Sequence, residues 1–353
     1  MGIHHGGNLL AAISTYGGNI DQWLDLSTGV SPFTYPVPAI PTHVWNRLPQ
    51  DNDGLESAAQ GYYGTAVEPL AVAGSQAAIM QLPKLLTQVL GHCGRVCLPR
   101  VGYKEHQHAW QSFALNGQRW GVDFYDDLPS QAQIEQSDVV VVINPNNPTG
   151  KLHRVDQLRQ IHAQLSTKQG YLVVDEAFMD CTPEASLLDK DTFPQHLIVL
   201  RSVGKFFGLA GSRVGFVFAD HVLLHQLSEV LGPWAVAGPS RWVVKSALQD
   251  TQWQINTRHK IAKHMARLTL LLEQSLNAET ASTDLFITVY LDNAPSIYRQ
   301  LCEAHIHCRL CDEKNALRFG LPEAQWQWQK LEAALSDIAP QRAKPAQEAA
   351  CEY

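Results

Sequence analysis

The chain has 353 residues, enough for one large domain or two, and with a hydrophobic share of 45% and a charged share of 17% it can bury a sizeable core. A net charge of −7 argues against nucleic acid as a partner, because phosphate backbones select basic surfaces. Met1-Gly2-Ile3-His4-His5-Gly6-Gly7 lacks the basic and apolar regions of a signal peptide, the most continuous apolar run (Val139–Ile143) is too short to span a bilayer, and seven cysteines without a secretion signal read as reduced thiols, so a cytoplasmic protein is expected.

In chain order, Leu70–Ala73 reads as a strand, followed by a Gly-Ser turn and an amphipathic helix over Gln76–Val89. Arg95–Leu98 reads as a strand and Lys104–Leu115 as a helix. Val139–Ile143 is apolar throughout, as in a parallel strand covered on both faces. A helix over Val155–Leu165 precedes strands at Tyr171–Val174, Leu197–Leu200 and Val214–Phe218. This alternation predicts an α/β fold with a mostly parallel sheet. The texture changes near Gly232-Pro233-Trp234: a helical stretch over Arg241–Leu276 and short strands at Phe286–Tyr290 and Leu317–Phe319 predict a smaller α+β domain. The expected division is an N-terminal segment (1–44) packing with the small domain and the active site, a large domain (45–235), a small domain (236–338), and a polar, Ala/Pro-rich tail (339–353) without order.

Chemistry concentrates where strands end. Lys205 lies just after a strand, within Ser202-Val203-Gly204-Lys205-Phe206-Phe207-Gly208-Leu209-Ala210-Gly211-Ser212-Arg213. Asp175 ends the apolar strand of Val173-Val174-Asp175-Glu176-Ala177-Phe178, a position that points into the ligand crevice of an open α/β sheet. Asn147 follows a third strand, in Asn144-Pro145-Asn146-Asn147-Pro148-Thr149-Gly150, where its amide can donate to a ring oxygen. Gly74-Ser75-Gln76 opens a helix after a strand, and such an N-terminus binds anions. Ser202 and Arg213 can reach the same anion, Arg213 as a bidentate partner. Tyr103, past the strand ending at Leu98, can stack on a flat ring. A lysine for the cofactor aldehyde, an aspartate for a pyridinium nitrogen and an arginine for a phosphate are what pyridoxal 5'-phosphate chemistry requires. Arg309 and Arg318 suit an anionic substrate. Cys302, His305, His307, Cys308 and Cys311 crowd together, but without a second ligand pair at zinc spacing no metal is expected.

The set Asn147, Asp175, Ser202, Lys205, Arg213 and Arg318 resembles the fold-type I, aspartate-aminotransferase-like enzymes of class I/II. Further features resemble the histidinol-phosphate aminotransferase branch and, inside it, the threonine-phosphate decarboxylases of cobalamin biosynthesis. They are His5-Gly6-Gly7-Asn8, Trp23 to Pro32, Arg47-Leu48-Pro49, Asp175-Glu176-Ala177-Phe178 and Leu317-Arg318-Phe319-Gly320-Leu321-Pro322. The resemblance implies a large domain with a mixed, mostly parallel sheet flanked by helices, a smaller α+β domain and a homodimer. It implies Lys205 as covalent anchor of pyridoxal 5'-phosphate, with Asp175 on the ring nitrogen, Asn147 on the ring oxygen and Tyr103 stacked on the ring. It further assigns Ser75, Gln76, Ser202 and Arg213 to the cofactor phosphate, Arg309 and Arg318 to the substrate's anions, and His5, Gly6 and Gly7 to a segment closing over the substrate phosphate. The implied reaction is decarboxylation of O-phospho-L-threonine to (R)-1-aminopropan-2-yl phosphate.

Two residues depart from the pattern. Leu48 stands where many relatives have a tyrosine reaching the neighbouring subunit's cofactor phosphate, and Phe178 where aminotransferases often have a tyrosine bonded to the ring oxygen. Both departures fit a decarboxylase. The alternatives are a histidinol-phosphate-type aminotransferase and, more distantly, a non-catalytic cofactor-sensing regulator, which would usually carry a DNA-binding domain ahead of the fold.

Overall fold

The structure, a computed structural model, describes residues 6–338. The tail read as lacking order therefore lies outside the described residues. The strands are β1 (Leu24–Asp25), β2 (Leu70–Val72), β3 (Arg95–Pro99), β4 (Gly121–Tyr125), β5 (Val139–Ile143), β6 (Tyr171–Asp175), β7 (Leu197–Ser202), β8 (Gly215–Phe218), β9 (Thr280–Ser282), β10 (Phe286–Tyr290), β11 (Ile306–His307), β12 (Arg309–Leu310) and β13 (Ala316–Gly320). The α-helices are α1 (Leu9–Tyr16), α2 (Thr42–Trp45), α3 (Leu55–Tyr63), α4 (Ser75–Leu90), α5 (Lys104–Ser112), α6 (Gln131–Gln136), α7 (Val155–Ser166), α8 (His221–Leu231), α9 (Gly238–Gln249), α10 (Thr251–Leu276), α11 (Ala294–Glu303) and α12 (Gln325–Ile338). None is long and apolar enough to cross a membrane.

The chain forms two compact units, one of Phe33–Arg258 and the other of the segments flanking it. Their boundaries fall at 32/33 and 258/259, where the sequence reading puts 44/45 and 235/236. Packing explains the second difference: Arg241 of α9 grips Asp53 and Glu56 at the start of α3 through four hydrogen bonds of 2.7–2.8 Å, which keeps α9 with the larger unit. The helix expected over Arg241–Leu276 is two helices. The break falls at Asp250, whose backbone leaves the helical region (ψ 75°) and whose carboxylate accepts from Trp253 N–H.

In the larger unit a seven-stranded sheet runs β2-β8-β7-β6-β5-β3-β4. β8 alone is antiparallel to its neighbours. Parallel neighbours need crossover connections: α5 joins β3 to β4, α6 joins β4 to β5, α7 joins β5 to β6, and a stretch with two short 3-10 turns joins β6 to β7. Covered on both faces, β5 is buried at all five positions, as its Val-Val-Val-Val-Ile sequence requires. α4 buries Ile79, Leu82, Leu85 and Leu86 against Val96, Val141, Ile198 and Val217 of the sheet. Chain order reverses between β3 and β5: β4 lies outward on one side of β3, while β5, β6 and β7 proceed on the other. Such a switch point opens a crevice at the carboxyl ends of the strands.

The smaller unit holds an antiparallel sheet β12-β13-β10-β9 and the parallel pair β1-β11. Its ladder places Arg309 directly opposite Arg318. The chain from Leu26 to Thr28 runs against β13: Gly320 N–H donates to the Leu26 carbonyl (2.7 Å), and a Cβ on Gly320 would overlap the Thr28 carbonyl oxygen.

Candidate active site

Six adjacent strands deliver the singled-out residues of the larger unit along one edge of its sheet. Gly74 and Ser75 follow β2, Arg213 precedes the reversed β8, Ser202 and Lys205 end and follow β7, Asp175 ends β6, Asn147 follows β5, and Tyr103 follows β3. The last two flank the switch point.

At one end of this row, α4 begins at Gly74 with no side chain capping its first N–H groups. A 16-residue helix with an uncapped N-terminus attracts an anion. Gly74 has φ +73°, and a Cβ there would stand 2.7 Å from Arg213 Nη2, so the turn must be glycine for the guanidinium to sit against it. Arg213 is itself in the left-handed region (φ 51°, ψ 50°), unusual for a non-glycine residue. Ser202 lies opposite Gly215 in the β7–β8 ladder, and the Cβ position of Gly215 is 2.5 Å from Ser75 N. Ser202, Ser75, Gly74 and Arg213 are thus brought together.

Gln76 is placed differently from expectation. Its side chain donates to Glu105 Oε2 (2.6 Å) and accepts from the Tyr103 hydroxyl (3.1 Å), so its amide is turned to those two residues and its backbone N–H is what it offers an anion. The contact pins Tyr103, which stands as N-cap of α5.

Asp175 is 3% exposed. One carboxylate oxygen accepts from Ala177 N–H (3.1 Å) and the other from His106 Nε2 (2.9 Å). A carboxylate only accepts, so the ring proton of His106 sits on Nε2, leaving a buried Nδ1 with no partner. The loop carrying Asn147 is tied on both sides: Asn144 exchanges two hydrogen bonds with the His153 backbone, and Asn146 Nδ2 donates to the Val101 carbonyl (2.9 Å). Lys205 Nζ lies 5.3 Å from the centroid of the Phe178 ring, which is buried. Beneath this row Arg201 meets Glu176 (2.8 Å) and Asp180 (3.4 Å), all three buried. Burial pushes both carboxyls up, against the pull of Arg201, and although burial opposes the charge on Arg201, the two acids hold its pKa above the ordinary value.

In the smaller unit, Arg318 is buried, donates from Nη2 to the Ser27 carbonyl (2.8 Å) and covers the Phe286 ring at 5.1 Å. Burial and the adjacent Arg309 lower its pKa to about 9. Gly6 and Gly7 lie beside Ser27, while His5 lies outside the described residues. Leu48, in the larger unit, is 63% exposed. Among the described residues no group of three His, Cys, Asp or Glu is arranged to hold a metal.

His106 and Glu105 stand in this row without being among the residues singled out from the sequence. The signal was there: His106 sits three residues after Tyr103, hence on the same side of α5, and a charged or ring-nitrogen residue in the first turn after a strand end points toward the crevice. The larger unit therefore offers an uncapped helix end and a guanidinium for a phosphate, and a buried carboxylate oriented by a histidine for a protonated ring nitrogen. A phosphorylated pyridine aldehyde fits these residues.

The sequence matches the family described as "Aminotransferase class I and II" over residues 48–338. It is 41% identical to a threonine-phosphate decarboxylase of Pseudomonas aeruginosa, over 94% of this chain and 97% of that protein. It is 38% identical to a threonine-phosphate decarboxylase of a Sinorhizobium species, over 91% of this chain and 94% of that protein. Among solved structures, a histidinol-phosphate aminotransferase from Sinorhizobium meliloti in complex with pyridoxal-5'-phosphate superposes with TM-score 0.78 at 18% identity, covering 97% of this chain and 99% of that one; this likeness concerns the fold.

Proposed function

We propose, from the premise that this chain belongs to the class I and II aminotransferase family, that it is a pyridoxal-phosphate-dependent decarboxylase converting O-phospho-L-threonine to (R)-1-aminopropan-2-yl phosphate and CO2, the product serving as the aminopropanol linker of cobalamin. The observation that carries the substrate is the 41% identity to a threonine-phosphate decarboxylase across nearly the full length of both chains. The cofactor, when bound, supplies an electron sink for the pair left behind when a bond to Cα breaks.

The chain's own residues do the rest. Lys205 would anchor the cofactor aldehyde, and its amine would deliver a proton to Cα as general acid. Asp175, backed by His106, holds the proton on the ring nitrogen. Asn147 donates to the ring oxygen, and Phe178 contributes no second hydroxyl there. Tyr103 covers the ring. Ser75, Ser202, Arg213 and the N–H groups opening α4 hold the cofactor phosphate. Arg309, Arg318 and the Gly6–Gly7 segment grip the substrate's anionic groups and set its rotation about Cα, so that remote binding energy selects loss of the carboxylate over loss of the proton. His5 joins that grip.

The working form is a cytoplasmic homodimer. Val37, Trp45, Leu48 and Trp234 of the larger unit are each more than half exposed, apolar side chains that a second copy would cover. The test is incubation of cofactor-loaded protein with O-phospho-L-threonine, with and without 2-oxoglutarate. CO2 release independent of 2-oxoglutarate is expected. Its absence, with glutamate formed from histidinol phosphate instead, would reassign the chain to aminotransfer.

A further inference from the structure

Ser27 occupies a junction that the assignments above leave unused. Its hydroxyl accepts from Gly7 N–H (2.7 Å), while its carbonyl accepts from Arg318 Nη2 (2.8 Å). Asp25 fixes the serine: Oδ1 accepts both the Ser27 hydroxyl (2.6 Å) and the Ser27 N–H (2.9 Å). Because the hydroxyl proton goes to Asp25, the oxygen lone pairs are left for Gly7. Gly6 packs so closely that a Cβ would overlap the Ser27 carbonyl oxygen and stand 3.4 Å from Arg318 Nη2. Ser27 is fully buried, and it lies in the stretch that runs against β13.

We propose that Ser27, oriented by Asp25, is a positioning residue that ties the Gly6–Gly7 main chain to the Arg318 guanidinium, so that an anionic group of the substrate meets both as one preset unit. The proposal deepens the function given above and rests on it for the identity of the substrate. The physical gain is preorganisation: a long arginine side chain and a glycine-rich segment both lose freedom on binding an anion, and a junction that has already fixed them reduces that cost. Gly6 is required at this point by close approach, and Ser27 by needing one acceptor on its side chain and another on its main chain.

The test uses the holoenzyme and two variants, Ser27→Ala and Gly6→Ala, the second changing the segment that meets the buried stretch. The KM for O-phospho-L-threonine should rise at least about tenfold in both, with kcat falling less, because the lost term is ground-state and transition-state binding alike. Hydrogen–deuterium exchange of the Gly7 amide, read without substrate, should speed at least about tenfold in Ser27→Ala, as removal of a hydrogen bond requires. Unchanged KM in both variants, or equal Gly7 exchange in Ser27→Ala and the parent, would overturn the role of Ser27 while leaving the decarboxylase reading intact. If the parent enzyme releases no CO2 from O-phospho-L-threonine, the functional reading fails by itself, and the exchange measurement still decides whether Ser27 holds the segment.

Discussion

Replacing Arg201 by methionine should destabilise the larger unit far more than a typical substitution. Arg201 is 2% exposed and stands between Glu176 and Asp180, both buried, with its guanidinium 4.4 Å from the centroid of the Tyr63 ring. Methionine fills much of the volume but leaves two carboxyls without their cation. Glu176 keeps hydrogen bonds from Ser186 Oγ and Leu187 N–H, so the loss falls on charge compensation rather than on every contact. Breaking a buried ion pair from one side costs about 3–5 kcal/mol. For a unit of this length each kcal/mol is worth about 2–4 °C, so the midpoint of thermal unfolding should fall by about 6–20 °C. The loss should depend on pH with a definite sign. Both carboxyls already lie above their ordinary values of 4.5 and 3.8, chiefly through burial, and removal of Arg201 raises them further. Groups whose folded pKa is raised favour folding fully below the unfolded value and lose that contribution as pH rises through the folded one. The deficit of Arg201→Met should therefore be largest near pH 8 and shrink toward about pH 5. The triple change Arg201→Met, Glu176→Gln, Asp180→Asn removes all three charges of this cluster and should recover most of the loss. Urea unfolding across that pH range is the assay. A deficit under about 1 kcal/mol, or one independent of pH, would refute the reasoning.

Three further outcomes are expected. Lys205→Ala should lose at least about a thousandfold in turnover, since it removes both the covalent anchor and the general acid; retention of substantial CO2 release would contradict the scheme. His106→Phe should slow decarboxylation by about 10–100-fold and weaken cofactor retention, measured by absorbance after dialysis, because Asp175 loses a charge-assisted hydrogen bond. Burial raises the Asp53 carboxyl, but its hydrogen bonds from Arg241 and Leu55 N–H together with the charges of Arg241 and Lys245 outweigh that and hold it below 3.8. Its contribution to stability is thus present above that value and lost as pH falls through the lowered one, and in Arg241→Met this part of the acid dependence, followed by unfolding at about pH 6 and about pH 3, should be missing.

The sequence alone determined the α/β alternation, because strands covered on both faces must be apolar throughout and β5 is so at every position. It also placed Asn147, Asp175, Ser202 and Lys205 where each follows or ends a strand, and strand ends are where an open sheet places its ligands. Residues separated by a few positions on one element carry their relation in the chain itself. What only the tertiary structure decided are relations between elements far apart in sequence. Gln76 bonds Glu105, Asp175 gains His106, Arg309 faces Arg318 across a ladder, and Ser27 joins Gly7 to Arg318. Each pairs groups whose local signals are silent about one another, because a hydrogen bond is decided by register and packing, and those exist only once distant segments have been buried together.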